Sequence, residues 1–205
     1  MDYSELASES TLDKTKKALE GKGYEVIVLE SKDEVLPIIK SSIPDGASVM
    51  NGSSVTLEQI GYIDYLESGK HKWNNLHAQI TSEDDKQKRD ELRNQSVLSD
   101  YYLGSVHALI ENGEFIIASN SGSQLPHIVY TSPNLIFVVS TKKIVSSFDE
   151  AMKRLMEHVV PLEEKHMQEL YQMGTAPNKI LFFKGEKQGS NRKIHFVLVK
   201  EDLGF

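Results

Sequence analysis

Short apolar segments alternate with polar or amphipathic segments along the first sixty residues. The β-branched and aromatic run Tyr24–Leu29 predicts a strand, and Ala47–Met50 predicts a second, shorter strand. Between them, Ser31–Glu34 has the serine-to-glutamate spacing of a capping box, which predicts a helix. A further helix is expected over about residues 4–20. This alternating order is typical of βαβ units, so it predicts a parallel sheet covered by helices.

The second half of the chain adds a hairpin and several buried strands. Two apolar runs, Ser105–Ile110 and Phe115–Ser119, flank Asn112-Gly113, a pair that favours a type I′ turn between antiparallel strands. Three later apolar runs predict further strands: Leu135–Val139, Ile180–Phe183 and Ile194–Val199. The predicted fold class is α/β, an open, mostly parallel, Rossmann-like sheet with helices on both faces and an antiparallel hairpin.

The same pattern predicts a single domain over residues 1–205. Residues 1–23 are expected to hold the N-terminal helix. Residues 62–98 are expected to form a polar insertion or helical region. Residues 62–81 lack a clear hydrophobic period, and the charged segment Glu83–Arg93 predicts an exposed helix. A second capping box at Ser147–Glu150 predicts the start of another helix. Pro161 should start, stop or kink a helix at its own position.

Composition narrows the classes of function. A formal net charge of −7 disfavours nonspecific binding to nucleic acid. The chain has no cysteine, which excludes a disulfide scaffold and any iron–sulfur cluster held by its own thiolates. Since no apolar run reaches the roughly 20 residues of a membrane span and Met1–Glu9 is polar, we expect a cytoplasmic protein without a membrane partner.

The most site-like segment is the loop between the second strand and the next helix. It contains four small or polar residues and is followed by a threonine: Asn51, Gly52, Ser53, Ser54 and Thr56. Glycine admits a ligand close to the backbone, hydroxyls donate hydrogen bonds, and strand ends in parallel sheets commonly bind ligands. The loop therefore predicts a site for a small anion. The alternative is that Ser53 or Ser54 only caps the helix.

A second polar loop follows the hairpin and is expected to line the same pocket. Its candidate residues are Ser119, Asn120, Ser121, Gly122, Ser123 and Gln124. The alternative is an ordinary polar turn. In the basic pair Lys142-Lys143, Lys142 is the candidate cation for an anionic ligand, although surface lysines usually have no specific role.

Residues for catalysis are less evident. Glu58 lies one turn into the helix after the first loop, and Glu111 adjoins the hairpin turn, so either is a candidate base or nucleophile if it is buried near substrate. The seven histidines do not have the spacing of a metal site, and no GxSxG nucleophile elbow is present. We therefore expect no metal and no cofactor.

Several of these segments also resemble the LUD-domain family of lactate-utilisation proteins. The resemblance is carried by a strand-loop-helix segment, a strand-turn-strand segment, a strand with a basic end, and two C-terminal segments: Met50–Gly61, Gly104–Gly122, Asn134–Val145, Ala176–Ile180 and Val199–Phe205. Asn51 and Asn112 depart from residues common at these positions in relatives.

The resemblance implies the fold of sugar-phosphate isomerases and CoA transferases, and a link to oxidation of L-lactate. Since this chain lacks cysteine, it implies an accessory or ligand-binding component that works beside iron–sulfur or flavin proteins. Two alternatives stay open. One is an enzyme that acts on a phosphorylated sugar or acyl-CoA through a carboxylate, and the other is a structural homo-oligomer, such as a homodimer, with a vestigial pocket.

Overall fold

The computed structural model describes residues 3–205, and only the backbone of residue 171. Its main sheet has six strands in the order β1-β10-β7-β4-β2-β3, and every neighbouring pair is parallel. The strands are β1 (Glu25–Leu29), β2 (Ser48–Asn51), β3 (Asn74–Asn75), β4 (Tyr101–Gly104), β7 (Asn134–Ser140) and β10 (Lys193–Val199). The predicted α/β class with an open parallel sheet is therefore confirmed.

A second, mixed sheet of four strands was not expected from the sequence. It has the order β8-β5-β6-β9, and comprises β5 (Ala108–Ile110), β6 (Phe115–Ser119), β8 (Ile144–Val145) and β9 (Lys179–Phe183). The predicted hairpin is the antiparallel pair β5 and β6. The last two predicted strands, β9 and β10, lie in different sheets, because β9 pairs with β6 and β10 pairs with β1 and β7.

The hairpin turn is not the type I′ turn that Asn112-Gly113 favours. Type I′ needs positive φ at both central residues, but among the described residues Gln172 is the only non-glycine residue with positive φ. The Gly113 N–H donates to the Ile110 carbonyl at 2.8 Å, and the Ile110 N–H donates to the Glu114 carbonyl at 2.7 Å. The loop is therefore one residue longer, and Gly113 alone takes positive φ.

Eight α-helices connect or cover the strands in the described chain. They are α1 (Glu9–Gly21), α2 (Val35–Ser42), α3 (Val55–Gln59), α4 (Tyr62–Glu67), α5 (Leu76–Thr81), α6 (Lys86–Gln95), α7 (Phe148–Arg154) and α8 (Val160–Tyr171). The N-terminal helix begins at Glu9 rather than near position 4, because the Ser8 side chain caps it by accepting from the Thr11 N–H. Positions 1 and 2 of the predicted 1–23 segment lie outside the described residues.

The region 62–98 is built of helices and also supplies edge strand β3. It is not uniformly polar in its packing, since Tyr62, Leu66 and Trp73 are buried. The Trp73 indole N–H donates to the Ile43 carbonyl at 3.2 Å, which anchors the segment to the end of α2. Helix α6 has no buried residue, as its charged sequence predicts.

Alternate side chains of β7 enter two different cores, as expected for a central strand buried on both faces. Leu135, Phe137 and Val139 pack in the core shared with α1 and the second sheet. Ile136 and Val138 pack in the core beneath α2, α3 and α4. A third, smaller core joins the second sheet to α7 and the π-helical turn Leu155–Val159 that follows it. No helix in residues 3–205 is long and apolar enough to cross a bilayer.

Candidate functional site

A cavity of about 390 Å³ lies at the carboxyl ends of β2, β4 and β6. Its walls come from the loop after β2, the link between β4 and β5, the loop after β6, helix α8 and the C-terminal residues 204 and 205. Carboxyl ends of parallel strands are the usual place for ligand sites in open α/β sheets. The volume is in the usual range for pockets that hold small molecules.

The structure brings the two loops named from the sequence together in this cavity. The lining includes Gly52, Ser53, Ser54, Thr56, Ser119, Asn120, Ser121, Ser123 and Gln124. Asn51 and Gly122 do not contribute to the lining: Asn51 is buried with its Nδ2 donating to the Gly52 carbonyl, and the Gly122 N–H donates to Ser119 Oγ. The two loops end strands of different sheets, so they face each other and do not share one sheet edge.

The helix after the first loop is short, and this changes how the loop can hold an anion. Helix α3 has five residues, and the Ser54 side chain accepts from the Leu57 N–H at its start. The capping interpretation is therefore confirmed for Ser54, which also lines the cavity. So short a helix provides little dipole, which leaves side chains as the main source of positive charge at this site.

Lys143 can supply this charge when an anion binds. Its side chain lines the cavity, the residue is only 4% exposed, and its Nζ contacts Thr56 Oγ1 at 3.1 Å and Ser105 Oγ at 3.2 Å. Among the ion pairs of the described residues, none includes Lys143. Burial, together with the charges of Arg154 and Lys142, holds the pKa of the Lys143 amine well below its usual range.

The sequence-based choice of Lys142 is corrected by this geometry. The Lys142 ammonium forms an ion pair with Asp202 and donates to the Gly204 carbonyl at 2.7 Å, and Lys142 does not contribute to the cavity lining. Both lysines lie in a 3₁₀ turn, Thr141–Lys143. Successive side chains in such a turn diverge by about 120°, so adjacent lysines face different surroundings.

His107 and Arg154 set the electrostatics beside Lys143 and were not singled out from the sequence. His107 lines the cavity, and its Nδ1 accepts from the Ala118 N–H at 3.2 Å, which places the proton of the neutral ring on Nε2. Burial, with the charges of Lys143 and Arg154, lowers the pKa of His107 to about 3. Arg154 is fully buried and donates from Nη1 to the His107 carbonyl. No sequence pattern marks this pair, because His107 lies in an apolar segment and Arg154 is one of several charged residues on an amphipathic helix.

The carboxylate in the cavity wall is Glu163 of α8, and burial raises its pKa. Neither candidate from the sequence lies there. Glu58 is exposed on α3, and Glu111 lies at the hairpin with its carboxylate 2.5 Å from the Lys14 ammonium. The geometry therefore does not bring Glu58 or Glu111 to the space where a ligand would bind.

A buried polar cluster supports the cavity wall from behind. His127 Nδ1 lies 3.1 Å from Ser99 Oγ and 3.0 Å from Ser132 Oγ, and the His127 ring stacks on Tyr102 with centroids 4.8 Å apart. Arg192 donates to the carbonyls of His127 and Ile128 in the π-helical turn that follows the second loop. Within residues 3–205, no group of three or more histidine or carboxylate side chains is arranged to hold a metal.

Comparisons with known proteins agree with this architecture. The LUD-domain family model matches residues 12–199. Among solved structures, the chain is similar to the crystal structure of a DUF162 family protein from Deinococcus radiodurans, with 12% sequence identity and a TM-score of 0.55. That similarity covers 95% of this chain and 99% of the other, and at this identity it supports the fold alone. No match was found among curated proteins.

Proposed function

This chain belongs to the LUD-domain family, which is associated generally with lactate utilisation, and from that premise we propose that it binds a small organic-acid anion. In this proposal the chain is an accessory or ligand-binding component of organic-acid utilisation. It holds no iron–sulfur cluster through its own thiolates, since it has no cysteine. The electron-transfer steps would belong to its partners.

The observation that carries the proposal is the buried Lys143 amine, which lines the cavity without a carboxylate partner. Its only hydrogen-bond partners among the described residues are two hydroxyls, and a buried charge is costly unless it is paired, so the free protein favours the neutral amine. A carboxylate that entered the cavity would supply the negative charge that stabilises the protonated form. The fully buried Arg154 is a second cationic group nearby, since its guanidinium donates to the carbonyl of the cavity residue His107.

The lining of the cavity suits a small polar anion rather than a large apolar ligand. Hydroxyl and amide side chains from the two loops contribute hydrogen-bonding groups to the lining: Ser53, Ser119, Asn120, Ser121 and Ser123. Leu155, Val159 and Met167 contribute apolar surface to the same cavity. A short organic acid likewise has a polar part, its charged carboxylate, and an apolar part, its small carbon skeleton.

Binding is tested by calorimetry and thermal shift with lactate, pyruvate and acetate. We expect at least one of these to stabilise the chain, by about 2.7 kcal/mol at a concentration 100 times its dissociation constant. Lys143→Met should weaken that binding by about tenfold or more, because loss of a charge-assisted contact costs roughly 1.5–3 kcal/mol. The control is Lys72→Met, which removes an exposed lysine outside the cavity and should retain binding. Equal losses in the two variants, or no binding of any acid by the wild type, would contradict the proposal.

The accessory role is tested separately by isolating the chain from native extract. We propose that an iron–sulfur or flavin protein of an organic-acid oxidation system is its partner. Such a protein should be recovered with the tagged chain under gentle conditions. Recovery of the chain alone, or only as a homodimer, would argue against the accessory role while leaving the binding proposal intact.

The alternative of an enzyme that uses Glu58 or Glu111 on a phosphorylated sugar or acyl-CoA has less support, because neither side chain lines the cavity. If one of them were the catalytic carboxylate, Glu58→Gln or Glu111→Gln would abolish turnover of such a substrate. We expect both variants to bind organic acids as the wild type does.

A further inference from the structure

We infer that Lys143 is a nucleophile that forms a Schiff base with a small 2-oxo acid held in the cavity. This inference rests on the proposed function, because both place an organic acid beside Lys143. It goes further by naming the class of ligand and by assigning a covalent step to one side chain.

The hydrogen bonds of Lys143 match those of a neutral amine. Such an amine has two N–H donors and one lone pair, whereas an ammonium has three donors. Nζ contacts two hydroxyl oxygens, Thr56 Oγ1 and Ser105 Oγ, at 3.1 and 3.2 Å. These two acceptors satisfy both N–H groups of the neutral form. The lone pair is then available on a side chain that lines the cavity.

The surroundings of Lys143 favour that neutral form in the free protein. The residue is buried, and its cationic neighbours Arg154 and Lys142 both disfavour a further positive charge. The guanidinium of Arg154 is fully buried, and its Nε and Nη2 have no hydrogen-bond partner within residues 3–205. An apolar site with a second cation is a known way to activate a lysine amine for attack on a carbonyl. Lys142 is different, because its ammonium pairs with Asp202.

The covalent step balances without any co-reactant. The Lys143 nitrogen attacks the keto carbon, and the C=O π-electron pair moves to oxygen. A proton passes from nitrogen to that oxygen through the Ser105 or Thr56 hydroxyl, which gives a carbinolamine. The carbinolamine C–O bond then breaks, the hydroxyl leaves with the second amine proton as water, and a C=N bond forms. The reaction is a condensation that releases one water molecule, so it needs no oxidant or reductant.

A carboxylate next to the carbonyl is what selects a 2-oxo acid over a simple aldehyde or ketone. An uncharged carbonyl compound brings no negative charge to the cavity, whereas a carboxylate interacts favourably with the guanidinium of Arg154, which is buried and donates to the carbonyl of the cavity residue His107. A 2-hydroxy acid has that carboxylate but no electrophilic carbon. The geometry therefore predicts that 2-hydroxy and 2-oxo acids both bind, and that only the oxo acid reacts.

The test is borohydride reduction of the full chain in the presence of pyruvate, followed by peptide mass mapping. A reduced Schiff base adds the mass of pyruvate less one oxygen atom. We expect this adduct on the peptide that contains Lys143, enriched about tenfold or more over the other lysines, because a bound reactant has a high effective molarity. Lactate should give no adduct. Lys143→Arg lacks the nucleophilic amine, so it should lose the adduct, and Lys72→Met, which removes an exposed lysine outside the cavity, should keep it.

Calorimetry on the same samples separates this inference from the proposed function. Binding of pyruvate and lactate without a trapped adduct at Lys143 would overturn the Schiff-base inference and leave anion binding standing. An adduct spread evenly over surface lysines would also overturn it. Failure of both acids to bind would remove the proposed function and this inference together. Because the wild-type chain alone can give each of these results, the test does not depend on the folding of a variant.

Discussion

The Tyr102 hydroxyl donates to Gln124 Oε1 at 3.1 Å, and a Cβ atom placed on Gly52 would lie 2.8 Å from both oxygens. Three segments that are distant in sequence therefore meet at this point: the end of β2, the side of β4 and the second polar loop. Gln124 also donates from Nε2 to the Ala118 carbonyl at 3.0 Å. This contact holds the two loops of the cavity at a defined separation.

Gly52→Ala should disrupt that contact. The added methyl group cannot stay 2.8 Å from two oxygens, so Gln124 must turn away and its hydrogen bond to Tyr102 is lost. We expect the free energy of unfolding to fall by about 1 kcal/mol, the usual contribution of one hydrogen bond. Urea denaturation measures this change.

The control for this variant is Gly21→Ala, since Gly21 has nothing within 4 Å of its added Cβ. It should be neutral or slightly stabilising because alanine favours a helix. Tyr102→Phe removes one of the two oxygens, so the double variant Gly52→Ala with Tyr102→Phe should lose less than the sum of the single losses. Strict additivity would show that Tyr102 and Gly52 do not interact.

Gly204→Ala should disturb the segment that covers Lys143. Gly204 has φ of +64°, and its added Cβ would lie 2.3 Å from Thr56 Oγ1 and 2.8 Å from Lys143 Nζ. We expect loss of stability from both strain and overlap, roughly 2–4 kcal/mol, together with weaker binding of organic acids. Thermal unfolding and calorimetry measure the two effects.

Gly189→Ala separates the effect of backbone strain from the effect of steric overlap. Gly189 has φ of +76° but nothing within 4 Å of its added Cβ. It should therefore show only the cost of the backbone conformation, roughly 1–2 kcal/mol, with unchanged binding. If the two variants behaved alike, the close approach of Gly204 to Lys143 would have no energetic consequence.

Acid should destabilise the chain partly through His127. Burial lowers the pKa of His127 to about 4, against an ordinary value of 6.5. Between these values the unfolded state binds a proton that the folded state does not, so stability falls as the pH is lowered from about 6.5 to about 4. His127 is 1% exposed, and its full contribution is at most about 3 kcal/mol.

His127→Asn tests this prediction by comparison of unfolding free energies at several pH values. Asparagine keeps a polar atom near Ser99 and Ser132 but cannot titrate. The variant should be less stable at pH 7 and should lose part of the slope between pH 6.5 and 4. An unchanged slope would show that His127 titrates normally in the folded chain.

Arg192→Lys should destabilise the chain strongly for a conservative change. The Arg192 guanidinium donates to four carbonyls of residues 127–132 and pairs with Glu186 at 2.7 Å. Lysine offers a single ammonium and cannot reproduce this planar fork. We expect a loss of roughly 2–3 kcal/mol in urea denaturation. The control is Arg93→Lys, an exposed pair with Asp90 on α6, which should change stability by less than about 0.5 kcal/mol.

Local patterns in the sequence predicted most elements because their causes are local. Apolar runs mark β7 and β10 within one residue at each end, and the capping boxes at Ser31 and Ser147 start helical segments as expected. The hairpin was found from its turn, although the turn type was wrong because Asn112 does not take positive φ. These features depend on side chains and backbone groups only a few residues apart.

The cavity could be predicted only in part. Its two loops were recognised because small polar residues between apolar elements are visible in a sequence. His107, Arg154 and Glu163 were not found, since nothing in their neighbours distinguishes them from core or surface residues. The sequence favours Lys142 over Lys143 incorrectly, because Lys142 is held away from the cavity by Asp202 and Gly204, about sixty positions away.

By itself, the sequence determined the strands, the helix starts and the small-residue loops, because those follow from hydrophobic period and capping between near neighbours. It also determined that the chain carries no thiolate redox centre, since it has no cysteine. Only the tertiary structure decided which sheet each strand joins and which lysine faces the cavity without a carboxylate. Both depend on contacts between distant segments, and it is burial among those segments that sets the charge state of Lys143.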